Sequence, residues 1–167
     1  MLGRHSSGEL GDGTTTGRSA PAPVQFSGQA AVGVPSVADP EVMAQAGVAF
    51  DYTAGWEVTA PLVWRDLDRA LIILHDDSNE GEGLIITFQE REGADSTLEA
   101  GESALISLNV DASRIEGSGP DGRTVTLVLN LTFAPEAAGK TYTVEIVVQT
   151  DNGDSQLAEV LGTLTVE

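Results

Sequence analysis

The 167-residue chain has no cysteine, which removes disulfide staples, thiolate nucleophiles and cysteine-type zinc sites and leaves the redox compartment unreadable. Histidine occurs twice, as His5 and His75, and lysine once, as Lys140. Lysine and arginine together number 8 against 26 acids, a formal net charge of −18. A chain so short of cations is repelled by phosphate backbones and anionic headgroups, so nucleic acid and acidic membranes are not expected partners. Long apolar runs are also missing. No stretch of about 18 apolar residues occurs, so no membrane-inserting helix is expected. Met1–Ala20 reads MLGRHSSGELGDGTTTGRSA, without the charged region and apolar run of a secretory leader, and no signal peptide is expected in it.

Length sets the scale of what is present. Roughly 150 residues per domain allows one domain with its own core. Composition shifts near residue 45. Residues 1–40 hold seven Gly, four Pro and only three acids (Glu9, Asp12, Asp39) against Arg4 and Arg18, a segment too polar to fold alone. The remaining 127 residues carry 23 acids and six basic residues. The reading is an extended, Gly/Pro/Ser-rich N-terminal arm over 1–46 and a folded body over 47–167. Inside the arm, Pro23-Val24-Gln25-Phe26 alternates apolar with polar, and Ala30, Val32 and Val34 repeat the pattern. Val24, Phe26, Val32 and Val34 are therefore the arm residues expected to pair with a sheet edge, in this chain or in another. Asp39–Gln45 (DPEVMAQ) has an N-cap-like Asp followed by Pro and Glu and reads as one short helical turn.

In the body the dominant period is two. Val125, Leu127, Leu129, Leu131 and Phe133 share one face of a single run, with Thr124, Thr126, Asn130 and Thr132 mostly on the other. Tyr142, Val144, Ile146 and Val148 alternate in the same way up to the turn signal Asp151-Asn152-Gly153. Val160–Val166 is a β-rich closing strand. Ala70–Leu74 and Leu84–Phe88, apolar on both faces, read as a hairpin about the acidic loop Asp76–Gly83. Leu105–Val110, Val48–Tyr52 and Trp56–Val58 add further strands, and Gly119-Pro120-Asp121-Gly122 is a turn. Seven or eight short strands without sustained helical spacing indicate, as an order of count, an all-β antiparallel sandwich. Tyr142 follows the small-residue turn Ala138-Gly139-Lys140-Thr141, a place that suits the structural tyrosine corner of a Greek-key, immunoglobulin-like topology.

The stretches Gly117-Ser118-Gly119, Thr124–Phe133, Ala138–Tyr142, Asp151-Asn152-Gly153 and Leu161-Gly162-Thr163-Leu164-Thr165-Val166 together resemble the C-terminal half of bacterial immunoglobulin-like repeat domains of large surface proteins. The resemblance spans about residues 62–167, with Leu164 where the family tends to carry an aromatic. It implies a non-catalytic structural or adhesive module and brings no functional residues with it.

The residues offer little to a catalyst. His5 lies in the arm, and His75, beside Asp76 and Asp77, ends an apolar strand, where a solvent-facing histidine is the ordinary occupant. No Gly-x-Ser-x-Gly elbow, Walker loop or zinc-spaced histidine pair occurs. Asp76, Ser78 and Glu80, followed by Gly81, place oxygen ligands at alternate positions and open a calcium reading, although position twelve of such a loop is Thr87 rather than a bidentate Glu. Asp151, Asn152 and Asp154 make a second acidic loop. The functional expectation is a non-enzymatic assembly protein, an outer or stabilising (decoration-type) subunit of a virion or similar surface array. In it the arm contacts or strand-pairs with copies of itself or with a shell or filament protein. The alternatives are a secreted filament or adhesin subunit assembling by strand exchange, and a calcium- or glycan-binding module. The expected location is a virion or extracellular surface.

Overall fold

Alternation of side chains decides which rows face inward. The computed structural model describes residues 32–78, 83–90 and 96–167. These form β1 (Gly33–Val37), β2 (Glu41–Ala44), β3 (Phe50–Val58), β4 (Leu67–Asp76), β5 (Gly83–Gln89), β6 (Thr97–Ala100), β7 (Ile106–Leu108), β8 (Arg114–Gly117), β9 (Thr124–Phe133), β10 (Thr141–Thr150) and β11 (Glu159–Val166). Val125, Leu127, Leu129, Leu131 and Phe133 of β9 are buried, as are Ile72 and Leu74 of β4 and Tyr142, Val144, Ile146 and Val148 of β10. Among the described residues no helix is long and apolar enough to cross a membrane.

The strands lie in two sheets. One runs β1-β3-β9-β7 with β8 also on β9, and the other runs β2-β11-β10-β4-β5-β6. All pairings are antiparallel except that of β2 with β11, which is parallel. Consecutive β1 and β2 thus belong to different sheets, and β9 and β10 cross between sheets through a 3-10 turn at Pro135–Ala137. This is an immunoglobulin-like sandwich. The extra β5 and β6 beside β4 give it the layout of the variable type.

The expected hairpin forms between β4 and β5, with Leu74 opposite Leu84 and Ala70 opposite Phe88. At the turn after β10, Gly153 takes a φ of 85° and donates to the Thr150 carbonyl at 2.9 Å, a conformation that favours glycine. Other expectations need correction. Asp39–Gln45 is not a helical turn. The Asp39 carboxylate does accept from the Glu41 N–H at 3.0 Å, but the next residues alternate exposed Glu41 and Met43 with inward Val42 and Ala44, and the ladder to β11 claims them. Val48–Tyr52 and Trp56–Val58 merge into the single strand β3, and Leu105–Val110 shortens to β7. The body begins before residue 47, because residues 33–44, assigned to the arm by composition, supply one strand to each sheet.

Tyr142 stands two residues before Val144, the spacing at which immunoglobulin domains of antibodies place a disulfide cysteine. Here Val144 is fully buried instead. Cohesion comes from aliphatic rows and a chain of rings. Phe50 and Phe133 stack at 6.0 Å, and Phe133 lies 5.0 Å from Tyr142. Burial, followed by the charge of Asp39, pushes the Tyr52 phenol up to about 12, so this core hydroxyl remains neutral at physiological pH.

Phe133 joins both sheets at full burial. Phe133→Ala should therefore cost about 3–5 kcal/mol, read as a lowered midpoint in urea unfolding with little change in slope.

Candidate functional site

Two places gather polar side chains, one at each end of the sandwich. The first is the point where the N-terminal segment joins the body. The Gln156 side-chain oxygen accepts from the N–H groups of Val32 at 2.9 Å and Gly33 at 3.1 Å. Its amide nitrogen donates to Glu159, and its own backbone N–H donates to the Val148 carbonyl at 3.0 Å. The Val32 carbonyl accepts from Thr59 at 2.8 Å. Val32 is 1 % exposed and sits in the core, whereas Val34 on β1 is 66 % exposed. Beneath this root lies the Trp56 indole. A Cβ on Gly33 would stand 2.4 Å from its Nε1 and 2.3 Å from the Glu57 carbonyl, so glycine is needed there for close approach.

The second place is the acidic corner. Asp76 ends the inward row of β4 with its side chain fully buried, and Lys140, at the head of β10, brings its Nζ to within 2.5 Å of the carboxylate. The other carboxylate oxygen accepts from the Ser78 N–H at 2.8 Å and the Ser78 hydroxyl at 2.6 Å. The Lys140 ammonium first, and Ser78 with it, hold the Asp76 carboxyl well below its ordinary 3.8, at about 2. Outside this pair, His75, Asp77, Thr143 and Glu145 line an open cleft. His75 Nε2 lies 2.8 Å from a Glu145 carboxylate oxygen, and the Thr143 hydroxyl donates to Asp77 at 2.8 Å.

The calcium reading meets a different arrangement. Asp76 and Ser78 come together as the spacing suggested, but on an ammonium group, and Glu80 lies outside the described residues. Among the described residues no three acidic or histidine side chains gather as a metal would require. Of the arm residues, Val24 and Phe26 lie outside the described residues, Val32 is a core residue, and Val34 lies on a strand paired with β3 of its own body. Tyr142 is buried at the head of β10, where the chain has just crossed from the sheet of β9. Two residues that sequence reading missed organise these places. Lys140 meets Asp76 across 64 positions, and Gln156 sits in a loop legible only as a turn.

All the described basic side chains face carboxylates: Arg65 on Asp121, Arg69 on Asp68, Arg114 on Asp51 and Glu116, Arg123 on Glu57, and Lys140 on Asp76. The arginine pairs are exposed, and such pairs contribute about 0–1 kcal/mol each. Their consequence is electrostatic, for they leave no unmatched cation on the described surface.

No protein-family model matches the chain, and no curated protein matches it in sequence. Among solved structures it is similar to murine CRIg, with 14 % identity over 81 % of this chain and 99 % of that one at a TM-score of 0.44. It is also similar to domain 1 of VCBP3 from Branchiostoma floridae, with 15 % identity over 81 % and 95 % of the two chains at a TM-score of 0.40.

The acidic corner has a pH signature. A carboxyl lowered from 3.8 to about 2 links roughly 2 kcal/mol to folding. That stability is fully present above about pH 4 and is lost as pH falls through about 2. Lys140→Met leaves Asp76 buried without its cation and should cost about 3–5 kcal/mol at pH 7. The gap from the parent should narrow in urea melts run from pH 7 down through pH 2, as Asp76 becomes protonated. At the other end, Gln156→Leu removes the acceptor of two N–H groups and should cost about 1–3 kcal/mol. Hydrogen exchange at Val32 and Gly33 should accelerate with it.

Proposed function

We propose that this chain is a non-catalytic assembly protein, an outer or stabilising subunit of a virion or comparable surface array, in which residues 1–31 contact neighbouring subunits. The observation that carries the reading is the join at Val32. Upstream lies a segment of nearly neutral, Gly- and Pro-rich sequence, and downstream a strongly acidic sandwich complete in its own core. Gln156 and Thr59 fasten the chain where one becomes the other. A polar tether anchored on a rigid body suits contact with a partner, because ordering such a segment needs apolar surface from outside it.

The charge pattern supports partners other than nucleic acid, since each described basic group already faces an acid. The acidic corner supports the absence of catalysis. A histidine with a carboxylate is half of a nucleophile–base system, but the threonine hydroxyl lining the same cleft, on Thr143, is bonded to Asp77 instead, and the cleft is open to water. An abundance of surface acids keeps such a module hydrated and discourages body-to-body aggregation. A surface role of the kind that immunoglobulin-like repeats fill in large surface proteins accords with this.

Removing residues 1–31 should leave a cooperatively folded sandwich with unchanged far-ultraviolet dichroism and abolish assembly, as followed by sedimentation velocity. A truncated protein that sediments like the full chain would end this reading.

A further inference from the structure

The parallel ladder of β2 on β11 starts at Glu41 opposite Thr163 and runs to Ala44 opposite Val166. It covers only the second half of β11. Toward the start of that strand, Glu159 and Val160 pair with β10 on one side while Leu161 falls at a bulge, and among the described residues no strand is hydrogen-bonded to them on the other side, although β1 passes close by. An open edge of this kind presents unpaired backbone N–H and C=O groups to any extended segment. Beside Glu159, which the Gln156 amide engages, the edge shows exposed apolar side chains. Val160 is 62 % exposed and the preceding Leu157 is 76 % exposed. The strand carries no lysine or proline at this edge, and Glu159 with the bulge at Leu161 narrows the open part to a short stretch around Val160. Val160 continues a row across the outer face of the sheet, through Glu145 and Ile73 to the exposed Ile85.

The occupant is indicated by where the N-terminal segment leaves the body. Gln156, the neighbour of Leu157, holds the N–H groups of Val32 and Gly33, so the root lies beside the open edge. Thirty-one residues precede Val32, enough to span about 100 Å when extended, well beyond one domain. Charge selects between parts of a second copy. Residues 41–167 carry 23 acids against six basic groups, whereas residues 1–40 carry three against two. Two bodies repel one another, and the near-neutral segment approaches an acidic body at the least electrostatic cost.

We propose that the edge Glu159–Leu161 accepts the alternating stretch around Val24 and Phe26 from a second copy of this chain as an added strand. The proposal rests on the assembly reading above and names its acceptor. Pairing supplies the backbone bonds, and Val24 and Phe26 supply apolar contact for Val160 and Leu157. A run of five residues, Ser27–Ala31, separates the donor stretch from the root. Trans pairing lets it extend toward a neighbour, whereas pairing with its own body requires the chain to double back within it.

The absence of cysteine makes the test clean. Full-length Phe26→Cys and Val160→Cys proteins, mixed under mild oxidation, should form a covalent dimer containing one of each, seen by non-reducing electrophoresis and intact mass. Failure to form it, or a double variant that only closes within one chain at every concentration, would overturn the proposal. Full-length Val160→Lys, at an exposed position, should assemble at least 10-fold more weakly while keeping its dichroism; should it not fold, the crosslink decides alone. Unchanged assembly of Val160→Lys, with assembly still lost on removing residues 1–31, would sink the named edge and leave the arm reading standing. Assembly that persists without those residues would remove both.

Discussion

Two sheets without a covalent bridge must be held by what their inward faces bury. A disulfide between the sheets would contribute about 2–4 kcal/mol, and a fully buried aliphatic side chain contributes about 1.5–3 kcal/mol. Val144, Ile72, Leu129 and Leu131, each fully buried, therefore replace one bridge several times over. The aromatic line Phe50–Phe133–Tyr142 ties the exit of β9 to the head of β10 across the crossing between sheets. This burial supports the loops at either end, and both polar clusters are hung from it.

The surface follows a different rule. With acids in large excess, each described cation is matched, and the one lysine is spent inside, against a buried carboxylate. The Asp76–Lys140 pair fastens the end of β4 to the head of β10 at the corner where the chain has changed sheets. At the opposite end a neutral side chain does the fastening. The Gln156 amide accepts from two backbone donors that have left the solvent, at little electrostatic cost in an acidic setting.

Much of the body was legible from alternation. β9 and β10 lie where strong period-two runs placed them, because each buries one continuous face, and β11 and the β4–β5 hairpin lie where β-branched and apolar runs placed them. β6 and β8 gave no signal. They are four residues long and mostly exposed, so their pairing with neighbours, rather than their own apolar content, makes them strands. β2 was misread for a related reason. An Asp followed by Pro and Glu fits a helix start, and only the neighbouring β11 turns the segment into a strand. In the sites, the oxygen-rich run at Asp76 was visible but its cation was not, and Gln156 carried no signal at all.

By itself, then, the chain determined a cysteine-free, all-β body with an acidic surface, the inward rows of its long strands, and a neutral leading segment. These depend on composition and on neighbours within a few positions. The tertiary structure alone decided which sheet each edge strand joins, that Asp76 meets Lys140, that residues 33–44 belong to the body, and that Gln156 fixes its first residues. Those contacts join groups up to 124 positions apart. Their energy is realised only once the sandwich has brought both partners together, so local sequence carries no trace of them.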